Sequence, residues 1–299
     1  MRLITYSSGP TGTARLGVRV GHRVLDVELA SRVDGQPLPN TMKGLLREGR
    51  GALSRVRALA KAAQSSAGRY AGAMHEERAI RFLPPVPDAG KFLCLGTNYR
   101  SHLAEGKKHD RSKEMPDEVG VVKLNTSLVG HNAKVAKPAG VEHLDYRPEL
   151  VFVIGKRALG VTAEDDAMDY VVGVTILNGL TDRDMRKGEG ADAPGFAPLG
   201  PEIVTLDEIP DPYDLWMTCA VNGEERMRVH TGEHSWKITD ILQHFSRSAP
   251  VEPGDMFSIG APASAAAGKV ANDLGLKVGD VLECSIEGVT TLRTTIVAP

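Results

Sequence analysis

Cysteine, aromatic residues and net charge are all scarce in this sequence, and each shortage excludes something. The 299 residues contain 3 cysteines, the widely separated Cys94, Cys219 and Cys284. An odd, scattered set excludes a zinc ribbon or a disulfide framework and suits a reducing compartment, so a cytoplasmic location is expected. Aromatics make up 5% and the formal net charge is -2 at pH 7, so no nucleic-acid partner is expected. No apolar run approaches the ~20 residues of a membrane span. Met1-Arg2-Leu3-Ile4-Thr5 lacks a charged segment leading into an apolar one, so neither a membrane partner nor an export signal is expected. What is present is balanced: 41% hydrophobic and 25% charged residues, which is enough apolar content for a large core and too much for disorder.

Proline punctuates the chain. Leu83-Pro84-Pro85-Val86-Pro87 favours extended backbone. A small N-terminal α+β domain is therefore expected over residues 1–85 and a larger domain over 86–299. In the first part, strand-like pieces at 3–6, 16–20 and 24–27 precede helical stretches at 42–48 and 53–63. Beyond the connector the pattern is mostly β, with short apolar strands at 92–95, 121–123, 150–154 and 171–177. Asn222-Gly223, between 215–221 and 224–229, predicts a hairpin closed by a type I′ turn, because both residues accept positive φ. Glu287-Gly288 marks a second hairpin between 281–286 and 289–297. Thr162-Ala163-Glu164-Asp165 resembles a capping box and predicts a helix through Tyr170; residues 238–245 have helical apolar spacing. Strands outnumber helices without βαβ alternation, so the expected class is mostly β with α (α+β) rather than a Rossmann sheet.

From about residue 91 to residue 297 a series of landmarks occurs in a fixed order. It includes Gly96-Thr97-Asn98-Tyr99-Arg100-Ser101-His102, Lys123, Asp145-Tyr146, Glu149-Leu150, Arg183-Asp184, Pro198-Leu199-Gly200-Pro201, Val221-Asn222-Gly223-Glu224, Pro253-Gly254-Asp255 and Gly260-Ala261-Pro262. Each is weak alone, but their shared order resembles the fumarylacetoacetate hydrolase family. The resemblance implies a β-roll or sandwich catalytic domain behind a small leading domain, a homodimer, and activity on 2-oxo or 1,3-dicarbonyl carboxylates. It also implies a Mg2+ or Mn2+ ion, held by an acidic pair on one strand and a later Asp, that acts as a Lewis acid on the substrate oxygens.

The chain departs from that pattern at the chemistry. Arg147 stands where the first Glu of the pair is expected, Gly179 replaces the Asp, and Glu149 is the one ligand position retained. The expected Lys falls on Ala191, the Thr of a Gly-Thr-Pro loop is Ala261, an expected Gln is Met227, and His234 falls where Met is typical. Arg147 and Glu149, two apart on a strand, should share a face and sum to no net charge. A divalent ion at ~4 Å from Arg147 would meet a repulsion of several kcal/mol at an effective dielectric near ~20. No cofactor is therefore expected, Mg2+ or Mn2+ entering only if the family's behaviour persists.

Two readings of Arg147 and Glu149 stay open: a salt bridge filling a disused ion site, or a guanidinium that grips a substrate carboxylate. His102 and Glu105 match the family's lid pair for proton transfer, and the charged stretch after them reads as a loop. Tyr99, Arg100, Lys123, His234 and Ala261 are the expected substrate-binding positions. His131, His143, His230 and His234 offer no compact metal-ligand spacing beyond His230 and His234. Cys94, on an apolar strand, reads as core. The expected function is an enzyme acting on a keto-acid type substrate by C–C cleavage, decarboxylation, dehydration, isomerisation or cyclisation. The alternatives are a Mg/Mn-dependent acylpyruvate hydrolase or oxaloacetate decarboxylase, and a ligand-binding protein without catalysis.

Overall fold

The computed structural model of the chain describes residues 1–9, 12–96, 98–100, 120–184, 193–262 and 275–299. His102, Glu105, Ala191 and the charged loop after Glu105 lie outside these residues.

One long sheet organises the molecule. From one edge to the other its path is Met74–Glu76, Arg23–Asp26, Arg15–Val20, Arg2–Ser7, Ala197–Thr205, Val171–Asn178, Pro148–Ile154, Met256–Ser258, Phe92–Leu95 and Gly120–Val122. A second sheet runs Glu224–His230, Trp216–Val221, Val281–Ile286, Thr290–Val297 and Ala133–Ala136. The fold is α+β and strand-rich.

The Pro148–Ile154 strand is buried along its whole length, and its composition explains why. Side chains alternate between faces along a strand. Leu150, Phe152 and Ile154 enter a core with Met217, Cys219, Leu282 and Ile286 of the second sheet. Val151 and Val153 face the other way, into a core with Val56, Leu59 and Leu3. An unbroken apolar run is what such a two-sided strand needs.

That second core crosses the proline connector. Helix Arg50–Ser65 buries Ala52, Val56, Leu59 and Ala63, a stripe at helical spacing. Strand Arg2–Ser7 pairs directly with Ala197–Thr205, Leu3 opposite Ile203. The N-terminal segment therefore extends the same sheet that carries the later strands.

Both hairpins form as expected. Asn222 and Gly223 have φ of 55° and 85° between Trp216–Val221 and Glu224–His230, and Val281–Ile286 turns back into Thr290–Val297. Helices occupy Met42–Glu48, Arg50–Ser65 and Ile238–Ser246 as expected. Two segments differ from expectation. Val27–Val33 is helical, started by Asp26, whose carboxylate accepts from Leu29 N. The expected helix after Thr162 is replaced by a local turn and the short 3-10 segment Ala167–Tyr170. Asp165 there accepts from Thr162 N and Oγ1, so the side chains that mimic a capping box close a turn instead.

Candidate active site

Three strands place the chemistry at one end of the long sheet. Pro148 pairs with Asn178 and Glu149 with Leu177, so Gly179 lies just past the paired end. Gly179 N donates to Arg147 O at 2.8 Å and fixes that end. On the other side Val151 pairs with Ser258. Glu149, on the same face as Val151, thereby meets both Ser258 and Gly179. The Ser258 hydroxyl donates to Glu149 Oε2. Glu149 Oε1 fills the space over Gly179, where a Cβ would come closer to it than 3.0 Å. The carboxylate thus occupies room that the missing side chain at 179 leaves free. Burial pushes the Glu149 pKa up, opposed by the Ser258 hydrogen bond and by the charges of Arg147 and Lys123.

Arg147 does not bridge to Glu149. Its ion-pair partner is Asp145, with Nε 4.0 Å from Oδ2. Asp145 is already committed, accepting from Arg183 Nε at 2.9 Å and Nη2 at 2.5 Å. Arg147 Nη2 donates to Thr181 Oγ1 at 3.4 Å, a long contact. Its Nε is buried with no hydrogen-bond partner among the described residues. Burial lowers the affinity of this guanidinium for its proton, countered by Glu149. Of the two readings left open, the salt bridge does not form among the described residues, and Arg147 is a buried guanidinium whose Nε lacks a hydrogen-bond partner there.

Lys123 changes the expected charge balance. It is 6% exposed, its backbone N donates to Phe92 O at 2.7 Å, and its charge reaches Glu149. The charges of Arg147 and Lys123 both act on Glu149, so Lys123 joins the Arg147–Glu149 pair in the charge balance.

A second group of expected residues is welded beside it. The Asn98 amide donates to Trp236 O at 2.8 Å and to Ile259 O at 2.6 Å, and its Oδ1 accepts from Trp236 N at 2.8 Å. Gly260, at φ 108°, lies so close to Asn98 that a Cβ there would clash. Ala261 N donates to Gly96 O at 3.3 Å. These bonds bring Tyr99, His234 and Ala261 together, with the Tyr99 and His234 rings 4.2 Å apart. Arg100 is exposed. Ser258 drew no attention in the sequence, and Asn178 and Tyr146 were assigned no role in the site. Ser258 is the lone hydroxyl in an apolar strand, and the Asn178 amide and Tyr146 hydroxyl are buried without hydrogen-bond partners among the described residues.

Residues 91–297 match the sequence signature described as fumarylacetoacetate (FAA) hydrolase C-terminal. The chain belongs to the fumarylacetoacetate hydrolase family. It is similar to oxaloacetate tautomerase fahd2, mitochondrial, of Xenopus laevis, with 29% identity over 307 residues covering 99% of this chain and 90% of the relative. Among solved structures it resembles fumarylacetoacetate hydrolase from psychrophilic Exiguobacterium antarcticum, with 27% identity, TM-score 0.77 and 100% of each chain covered. It also shares its fold with maleylpyruvate hydrolase from Sphingobium sp. SYK-6 in complex with manganese(II) ion and pyruvate, at 24% identity and TM-score 0.75, covering 100% of this chain and 99% of the other.

The manganese complex corrects the expectation that no cofactor is involved, since the same fold along its whole length holds a divalent ion. The residues described in this chain do not reproduce a donor set for one. The nearby carboxylates are Glu149 and Asp145, the first bound by Ser258 and the second by Arg183. No group of three or more His, Cys, Asp or Glu side chains that could hold a metal occurs among the described residues. Hard divalent ions take several oxygen ligands. No helix among the described residues is long and apolar enough to cross a membrane.

Proposed function

We propose that this family member is an enzyme that binds a 2-oxo or 1,3-dicarbonyl acid through its carboxylate and moves a proton at the carbon beside the carbonyl. Keto–enol tautomerisation of an oxaloacetate-type acid is the leading reaction. The observation that carries the reading is Arg147: a buried guanidinium whose Nε has no hydrogen-bond partner among the described residues. Such a fork matches a carboxylate in two parallel bonds. The tautomerase relative, similar over 99% of this chain, supports the choice of reaction. Glu149, whose ionisation burial opposes, is the acid–base group beside Arg147. His102 and Glu105 remain the assignment proposed for the second proton-transfer pair.

Hydrolysis of an acylpyruvate-type substrate is the second reading, supported by the 27% identical fumarylacetoacetate hydrolase. Both are tested by following loss of the oxaloacetate enol and depletion of an acylpyruvate in parallel, with and without added Mn2+. Under the leading reading the enol decays faster with enzyme, and Arg147→Gln lowers kcat/KM by about 10- to 100-fold, as expected for one charge-assisted hydrogen bond. Unchanged kcat/KM in Arg147→Gln would refute the anchor. The homodimer belongs to the same proposal, and a monomer mass by light scattering would remove it.

A further inference from the structure

Two polar groups deep in the protein lack partners, and they lie side by side. His234 is 1% exposed and Tyr99 0%. Neither His234 Nε2 nor the Tyr99 hydroxyl has a hydrogen-bond partner among the described residues. Their ring centroids are 4.2 Å apart with planes at 54°, and their backbones pair in an isolated antiparallel bridge. Groups buried this deeply are almost always hydrogen-bonded in folded proteins, so two adjacent exceptions need an explanation.

The chemistry of the pair is fixed by its surroundings. His234 Nδ1 lies 2.7 Å from Thr231 O. A carbonyl oxygen only accepts, so Nδ1 carries the hydrogen and Nε2 presents a bare lone pair. Burial, against the carbonyls of Thr231 and Gly260, pushes the His234 pKa down to about 4 and keeps the ring neutral. Burial and the charges of Glu149 and Glu233 push Tyr99 up, so its hydroxyl keeps its proton. The couple therefore offers one acceptor and one donor. It also belongs to the site: the charge of Glu149 reaches Tyr99, and Asn98, the neighbour of Tyr99, holds Trp236 and Ile259.

We propose that the His234–Tyr99 couple binds a ligand hydroxyl, so that the site takes the enol or 2-hydroxy form of an acid in preference to its 2-oxo form. This rests on the reading of Arg147 as the carboxylate anchor and adds to it the tautomer that the site selects. A hydroxyl donates to His234 Nε2 and accepts from Tyr99, satisfying both groups. A ketone oxygen only accepts and leaves Nε2 unmet. A Met at this position would offer only a weakly accepting thioether.

The test compares two acids of one skeleton by calorimetry: trimethylpyruvate, which cannot enolise, and 2-hydroxy-3,3-dimethylbutanoate. The hydroxy acid is expected to bind about three- to tenfold more tightly, the worth of one net hydrogen bond. His234→Met should bring the ratio to about one, and His234→Gln, which retains an accepting oxygen, should restore part of it. A second measurement needs no substitution: in protein labelled with 15N in its imidazoles, the His234 Nε2 resonance should move on saturation with the hydroxy acid and stay in place with the oxo acid. An unchanged preference in His234→Met, or an Nε2 resonance indifferent to both, overturns the inference while the anchor stands. If both acids bind Arg147→Gln as tightly as the unsubstituted protein, the anchor falls and the hydroxyl preference alone decides the role of His234. Binding of neither acid overturns both.

Discussion

Glu149 and Gly179 share one small volume, and Gly179→Ala tests that directly. The added Cβ would come closer than 3.0 Å to Glu149 Oε1, inside any ordinary contact between carbon and oxygen. The carboxylate must turn away, and it then gives up the hydrogen bond from Ser258. Losing a buried hydrogen bond to a charged or polar group costs about 1–3 kcal/mol, and overpacking costs typically about 1–3 kcal/mol more. Some of this is recovered because Glu149 can swing toward Arg147, so a net loss of about 2–4 kcal/mol is expected. For a chain of this size that lowers Tm by about 3–6 °C. The assay is urea denaturation of four proteins: the unsubstituted chain, Gly179→Ala, Glu149→Ala and the double variant. Removing the Glu149 side chain removes the clash, so Gly179→Ala should cost almost nothing in the Glu149→Ala background. The two sites should therefore show a coupling energy of at least about 1 kcal/mol. An equal cost of Gly179→Ala in both backgrounds would show that the carboxylate does not occupy that space.

Two further outcomes follow from the same end of the sheet. Glu149 has its pKa raised in the folded state, so its contribution to stability is full below the unfolded value near 4.5 and is lost as pH rises through the folded value. Glu149→Gln cannot ionise and should gain on the unsubstituted protein as pH rises from about 5 to about 8; a constant difference between their urea midpoints across that range would refute the assignment. Arg147→Met replaces a mostly buried charge, whose 4.0 Å partner Asp145 is already held by Arg183, with an apolar side chain. A gain of about 1–2 kcal/mol together with loss of activity is expected, and a lowered Tm would show that Arg147 is structural.

Turn chemistry and apolar pattern were legible because they are local. Asn222-Gly223 encodes a tight turn through its own backbone freedom. The run from Leu150 to Ile154 encodes a strand covered on both faces. The helix Val27–Val33 was not legible: its first residue is β-branched and continues a strand-like run, and its start depends on Asp26, which also receives Arg15 from the preceding strand at 2.5 Å. Thr162 to Asp165 was misread because a side chain that can cap a helix can equally close a turn, and sequence spacing alone does not choose between the two.

The site was legible by position but not by pairing. Arg147 and Gly179 stood out because they depart from the family pattern and Glu149 because it keeps it, and charge arithmetic suggested that Arg147 and Glu149 neutralise each other. That arithmetic failed for a geometric reason. Two residues on one face of a strand share a direction, yet each side chain follows the nearest better partner. Glu149 turns to the Ser258 hydroxyl and into the gap over Gly179, while Arg147 turns toward Asp145 and Thr181. Neither Ser258 nor the gap is visible without the third strand in register. The consequence for function is direct. A pair that cancelled its own charge would have nothing left for a ligand, whereas a guanidinium left short of acceptors has donors to offer the carboxylate that the proposed function assigns to it.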